Sequence, residues 1–255
     1  ISKGMRCGFS TNGELLNQDI AKFLVDIGLF NLNISLNAAS SSTHKQIHNL
    51  DREVFKNIVE NIKFLTSYKK QTHKVYPLAR LSFVICNINY QEVAQMVEIG
   101  KDADVRKIAF YNFVYCKARR DILRPLILEP NEVKALNKLM LEAEILVRKN
   151  GIATNIPQFL IKLNAPKENS FLIQKKDRSI CQIQADGVVY PYDFPYEMGN
   201  INKHSLIEIW YSKKYVEFRK RVINLADAGE KMPNYPFCRR CKAPLCDRKL
   251  CTIQC

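Results

Sequence analysis

Apolar residues recur along the first half of the chain in two alternating rhythms. Over 5–10 they predict a short strand that ends at the turn signal Thr11-Asn12-Gly13. Ile20, Phe23, Leu24 and Ile27 then fall at helical spacing, with Gly28 as a stop. In FNLNISLNA the period drops to two. Leu32, Ile34 and Leu36 alternate with Asn33, Ser35 and Asn37, which predicts a strand with one apolar and one polar face. A second helix is predicted over 51–67, with Asp51 as N-cap and Val54, Ile58, Ile62 and Leu65 on its apolar side. LARLSFVIC (78–86) predicts a third strand, Asn89 caps a helix carrying Val93, Met96 and Val97, and IAFYNFVY (108–115) predicts a fourth strand. Such alternation implies right-handed βαβ units and an α/β fold with a parallel sheet or partial barrel. Four βα units are too few to close an eight-stranded barrel.

Beyond this the pattern changes. Residues 117–130 read as a connector and 131–149 as a long helix, with Val133, Leu136, Met140, Ala143 and Val147 facing inward and Gly151 past its end. From about residue 178, ICQIQADGVVYPY predicts two short strands joined by a tight turn at Asp186-Gly187. Gly199-Asn200 predicts another turn, and 205–220 a single amphipathic helix carrying Leu206, Ile209, Trp210 and Phe218. The expected organisation is a partial barrel over 1–116, a connecting helix and linker over 117–177, and a small cysteine-rich module over 178–255.

Composition narrows the class. With 47% apolar and 25% charged residues in 255, the chain reads as an ordinary globular protein. No apolar run approaches the roughly 20 residues that span a bilayer. The first residues, ISKGMRCGFSTNG, lack the apolar core and cleavage site of a signal peptide, so a cytoplasmic location and no membrane partner are expected. The formal charge is +14, with basic groups at Lys69-Lys70, Lys117 to Arg120, Lys175-Lys176, Arg219 to Arg221 and Arg239-Arg240. They are scattered and rarely beside aromatics, which reads as a solvated basic surface rather than a nucleic-acid footprint.

Cysteine usage is the sharper signal. Five of the nine, Cys238, Cys241, Cys246, Cys251 and Cys255, lie in the last 18 positions. In a reducing compartment disulfides are rare. A Cys-x2-Cys start brings two thiolates onto one turn, within reach of one ion or one cluster iron. Metal or iron–sulfur binding is therefore expected, and a disulfide-stapled tail in an exported protein is the alternative. Cys86 and Cys116 end strands in apolar surroundings and read as small packed hydrophobes.

Two separated stretches resemble one family, the radical SAM enzymes with a C-terminal SPASM domain. STNGELL, then a helix, then NISLNA followed by THKQI, resembles the middle of the family's six-unit partial barrel. CQIQADGVVYPY, GNINKHSLIEIW and the Cys-x2-Cys tail resemble the SPASM module, which holds auxiliary iron–sulfur clusters. The resemblance covers roughly 5–116 and 178–255. It implies a parent enzyme that reductively cleaves S-adenosylmethionine and uses the 5′-deoxyadenosyl radical on a peptide, protein or small-molecule substrate. It also implies an electron donor such as flavodoxin or ferredoxin.

The family's Cys-x3-Cys-x2-Cys loop and Gly-Gly-Glu-Pro turn do not occur here, and Cys7 is the only cysteine before Cys86. The expectation is a C-terminal portion that begins at the family's third strand and does not cleave S-adenosylmethionine by itself. Matching STNG and SLN makes Thr11, Ser35 and Asn37 the candidates for cofactor contact, with Asn87 after them. The plainer alternative is that Thr11-Asn12-Gly13 is only a turn and that Ser35 and Asn37 satisfy neighbouring backbone. His44 reads as a surface or capping residue. In the module, Tyr192 stands where the family supplies a cysteine. The resemblance then implies one auxiliary [4Fe–4S] cluster on Cys238, Cys241, Cys246 and either Cys251 or Cys255, with Cys181 as a further candidate ligand. A non-catalytic scaffold holding zinc or a cluster through the same tail is the competing reading.

Overall fold

The computed structural model describes residues 5–113, 124–164, 179–191 and 196–227. The chain divides into two compact units, residues 1–113 with 122–164, and residues 114–121 with 165–255.

The first unit is a five-stranded, wholly parallel sheet whose strands lie side by side in chain order: β1 (Gly8–Thr11), β2 (Asn31–Ser35), β3 (Leu78–Ile85), β4 (Lys107–Asn112) and β5 (Ala153–Thr154). The helices between them are α1 (Gln18–Asp26), α2 (Ser41–His48), α3 (Arg52–Gln71), α4 (Val93–Asp102) and α5 (Pro130–Lys149), and α6 (Ile156–Asn164) follows β5. The alternation in β2 is realised as predicted. Leu32, Ile34 and Leu36 are fully buried and join Leu81, Phe83, Ile85, Ile108 and Phe110 in the core that also holds the helices' apolar residues. Both faces of a parallel sheet are commonly apolar; here the second face is polar.

Several expectations change. The fifth strand, two residues long, escapes a period-two search. Residues 130–149 do not merely connect: Leu136, Met140, Ala143 and Val147 are buried in the first unit's core, and a capping box between Glu129 and Glu132 starts the helix. In α1 the element is as expected, but Ala21, Leu24 and Val25 are the buried face, while Ile20, Phe23 and Ile27 remain 38–60% exposed. This helix carries apolar residues on two stripes, and packing against α3 rather than periodicity decides between them. The Ser40-Ser41-Ser42 run hides α2. Ser40 caps it by accepting from the Thr43 N–H, and Glu92, distant in sequence, accepts hydrogen bonds from the Ser40 and Thr43 hydroxyls at 2.6 Å each. His44 therefore lies inside a helix, 2% exposed, with its ring 4.6 Å from His48 and 5.5 Å from Phe55. It neither caps nor faces solvent.

The second unit is a small antiparallel sheet of β6 (Cys181–Ile183), β7 (Val188–Pro191) and β8 (Gly199–Asn200), with α7 (Leu206–Tyr211) and α8 (Lys213–Asp227). The hairpin turns at Gly187, whose φ of 83° suits glycine. Gly199-Asn200 is a strand paired to Val189 and Val188 rather than a turn. Glycine is required there by proximity, since an added Cβ would stand 2.9 Å from Ile209 Cγ1. The single predicted helix over 205–220 is two, broken at Ser212, where ψ is 148°. The Ser212 hydroxyl accepts from the Tyr215 N–H and restarts the next turn. Val189, Met198, Ile209, Tyr215, Phe218 and Val222 form this unit's own core.

Candidate cofactor-binding site

In parallel α/β sheets ligands gather at the carboxyl ends of the strands. Here those ends present Thr11, Ser35, Asn37 and Asn87, and register decides which of them share a face. Paired residues of parallel strands point the same way, so Ser10, Asn33 and Ser35 align with Arg80, Ser82 and Ala109 on the polar side. One amide organises this layer. Asn33 Oδ1 accepts from Arg80 Nε at 2.8 Å and from the Ser82 hydroxyl at 2.5 Å, while its Nδ2 donates to Ser10 Oγ at 3.1 Å. Three strands are thus locked together by side chains on the face that the helices leave open.

Ser35 lies on this face at the end of β2, and its hydroxyl has no hydrogen-bond partner among the described residues. Thr11 pairs with Ile34 and is out of phase with it. Its Oγ1 accepts from the Gly13 N–H at 3.0 Å, closing the turn after β1. Asn37 lies beyond the strand in a left-handed conformation (φ 53°), so strand alternation does not orient it. Its Oδ1 accepts from the Val84 N–H at 3.0 Å, which leaves the amide nitrogen free. The Asn87 side chain turns to Glu132 Oε1 at 2.5 Å.

Sequence reasoning missed the residue that holds these ends together. Asn89 is fully buried and stands at the N-cap position of the 3-10 turn Tyr90–Glu92, but its side chain makes no cap bond. Its Oδ1 accepts from the Cys86 N–H, and its Nδ2 donates to the carbonyls of Asn37 and Val84, all at 2.8 Å. Asn33 and Asn89 are asparagines like their neighbours in sequence. Alternation with Ser35 was a signal for Asn33; the sequence marked Asn89 only as a helix cap, not as the link between strand ends. The strand ends offer hydroxyls and amides but no acid–base pair. Such groups can bind and orient a ligand but supply no reactive chemistry of their own.

In the second unit Cys181 opens β6 opposite Pro191, half-buried, and burial pushes its thiol pKa up. Cys86 is buried, and burial raises its thiol likewise against the backbone N–H groups of Ile88 and Asn89. Cys116, Tyr192, Cys238, Cys241, Cys246, Cys251 and Cys255 lie outside the described residues. Among the described residues no three His, Cys, Asp or Glu side chains are grouped to hold a metal ion, and no helix is long and apolar enough to cross a membrane.

Residues 176–242 match the SPASM family, an iron–sulfur cluster-binding domain. The chain is 24% identical over 260 residues to the tungsten-containing aldehyde ferredoxin oxidoreductase cofactor-modifying protein of Pyrococcus furiosus, covering 94% of this chain and 66% of that protein. The solved structure of native anSMEcpe with bound AdoMet superposes with a TM-score of 0.57 at 18% identity, covering 97% of this chain and 68% of the other. Streptococcus suis SuiB bound to S-adenosylmethionine gives 0.58 at 13% identity, covering 84% and 50%. Residues 176–242 thus carry a SPASM domain, and the fold is that of the radical SAM structures it superposes on. The parallel sheet has the barrel-like fold of those structures, and the described residues of the second unit lie within the SPASM match. The chain spans 54–66% of the length of the curated relatives it matches.

Proposed function

We propose that this chain supplies the adenosyl side of a radical SAM active site and one auxiliary [4Fe–4S] centre. The enzyme it serves cleaves S-adenosylmethionine to a 5′-deoxyadenosyl radical and abstracts hydrogen from a peptide, protein or small molecule. The observation that carries this reading is the polar inner face of a parallel sheet, ending in the unpartnered hydroxyl of Ser35. It is supported by the S-adenosylmethionine held by two solved relatives of the same fold.

The residues fit such a ligand. A ribose and an amino-acid group call for donors and acceptors, and Ser35 offers both. The Thr11 oxygen takes the Gly13 N–H, and its own proton remains available to donate. Asn37 has its amide nitrogen to spare. The Asn33 layer stiffens the floor beneath them. Bound S-adenosylmethionine supplies the radical chemistry; these side chains bind and orient. No Cys-x3-Cys-x2-Cys run occurs in the 255 residues, so the thiolates of a cleaving cluster are not among them.

In the second unit Cys238, Cys241 and Cys246, with Cys251 or Cys255, carry the auxiliary cluster. Electrons come from a flavodoxin or ferredoxin in a cytoplasmic setting. Anaerobic reconstitution with iron and sulfide is the test. One cluster on four thiolates gives about four irons per chain. Close to eight irons in two cubanes overturns the single centre, and stoichiometric zinc without iron replaces the enzyme reading with the scaffold. Independently, S-adenosylhomocysteine binding measured calorimetrically should weaken in Ser35→Ala; equal affinity removes Ser35 from the site.

A further inference from the structure

The opposite end of the sheet holds a separate feature. The starts of β2, β3 and β4 border a cavity of about 400 Å³, at the far end of the strands from Ser35 and Asn37. Its polar lining is Asn31, Asn33, Lys69, Arg80, Asp104, Arg106 and Lys107, four cations against one carboxylate. That carboxylate is already engaged. Lys70 Nζ lies 2.7 Å from Asp104 Oδ2, and an Arg106 terminal nitrogen 2.8 Å from Oδ1. Burial opposes the charge of Asp104, but the Lys70 hydrogen bond and the charges of Arg106, Lys70 and Lys69 outweigh it and hold its pKa below the usual carboxylate range.

The other cations lack such a partner. Lys69 Nζ reaches only the Pro77 carbonyl, at 3.3 Å. Arg80 spends Nε on Asn33, and its two terminal nitrogens, like Lys107 Nζ, make no hydrogen bond or ion pair among the described residues. Burial holds the Lys69 amine below its ordinary pKa, with Lys70 adding to the effect and Asp104 opposing it.

Basic residues in a helix's last turn commonly complement the negative end of its dipole, and that accounts for Lys69 and Lys70 at the end of α3. It does not account for Arg80 and Lys107. These are strand residues on the polar face, brought side by side by the register of β3 and β4. Arg80 and Lys69 are part-buried, and cations withdrawn from water without a charged partner are costly unless an anion meets them. Arg80 presents the free fork that grips an oxyanion through two nitrogens. The volume falls within the range of small-molecule pockets, about 300–1,000 Å³.

We infer that this cavity binds a phosphate-bearing small molecule, its phosphoryl oxygens held by Arg80, Lys69 and Lys107. The inference does not rest on the radical SAM reading: Arg80 meets the Asn33 layer, but the cavity, Lys69 and Lys107 lie at the starts of the strands.

The probe is inorganic pyrophosphate, titrated calorimetrically into the intact protein at low and at physiological salt. Saturable one-site binding is expected. Lys107→Gln and Lys69→Gln should weaken it about tenfold, as expected for losing one charge-assisted hydrogen bond. Lys134→Gln, on the exposed side of α5, removes the same charge and should leave it unchanged. Lys107 is exposed at the first residue of β4, so its variant keeps the fold and decides the matter if Lys69→Gln does not. Absence of saturable binding at millimolar pyrophosphate overturns the inference. So does an equal loss in Lys134→Gln, which would reduce the effect to diffuse surface charge.

Discussion

Replacing Asn89 with alanine tests whether one buried amide assembles the candidate site. Asn89 is fully buried and makes three hydrogen bonds of 2.8 Å, all to backbone: from the Cys86 N–H, and to the carbonyls of Asn37 and Val84. Alanine leaves one buried donor and two buried acceptors unpaired. At roughly 1–3 kcal/mol for each orphaned group, discounted for what the carbonyls retain elsewhere, the expected loss is about 3–5 kcal/mol in the first unit. With two compact units, a single melting curve is not a two-state quantity. Amide hydrogen exchange is the better assay, read at Cys86 and Val84. Cys86 loses its acceptor outright, whereas Val84 is released only if Asn37 shifts.

Asn89→Asp sharpens the test. Its second oxygen would face two carbonyls, so the fold should favour the protonated acid and raise its pKa above the unfolded value of about 3.9. The stabilisation is then full below that unfolded value and is lost as pH rises through the folded one. Unchanged protection at Cys86 in Asn89→Ala, together with a loss below about 0.5 kcal/mol, would refute the reasoning.

Other consequences can be checked more briefly. Gly199→Ala should destabilise the second unit by about 1–3 kcal/mol through overpacking against Ile209; Gly199→Ala with Ile209→Ala should recover part of that loss in thermal unfolding, and additivity would count against the contact. The His44 pKa is lowered, first by burial and then by the charge of His48, with Glu14 opposing. Its contribution to stability should thus be complete above the unfolded value of about 6.5 and be lost as pH falls through the lower folded value. His44→Gln should flatten that slope, and an unchanged pH profile would place its origin elsewhere. Arg219 stacks 4.5 Å from the Trp210 ring centroid and 4.9 Å from that of Tyr215, and donates to the Trp210 carbonyl at 2.7 Å. Arg219→Ala should cost about 1–3 kcal/mol in the second unit's unfolding, and Arg219→Lys should restore only part of it.

The alternation of Leu32, Ile34 and Leu36 with asparagine and serine was enough to read a strand with a polar face, because burial on one side writes itself locally. The family resemblance rested on ordered short motifs, and the SPASM match over 176–242 bears it out. What stayed hidden depends on distant partners. The start of α2 is secured by Glu92, and β5 exists through pairing with β4. In α1 packing against its neighbour buried Ala21, Leu24 and Val25 and left the bulkier Ile20, Phe23 and Ile27 outside. Gly199 looked like a turn because the Ile209 side chain that requires it arrives from another element. At the candidate site, motif matching reached Ser35 and Asn37. Asn89 was read as a helix cap and its linking role was hidden, since its three partners are backbone groups that carry no sequence signature.

The order of the sheet has a further consequence, for biogenesis. Described strands that neighbour one another in the five-stranded sheet are consecutive in the chain, so each of β2 to β5 leaves the ribosome with its preceding partner already synthesised. No strand must wait for a distant stretch of sequence, as it would in a sheet whose order doubles back. Growth along one advancing edge keeps loop-closure costs small and lets assembly proceed in the direction of translation. The Asn33 layer would then form stepwise: Ser10 and Asn33 first, and Arg80 and Ser82 when β3 arrives.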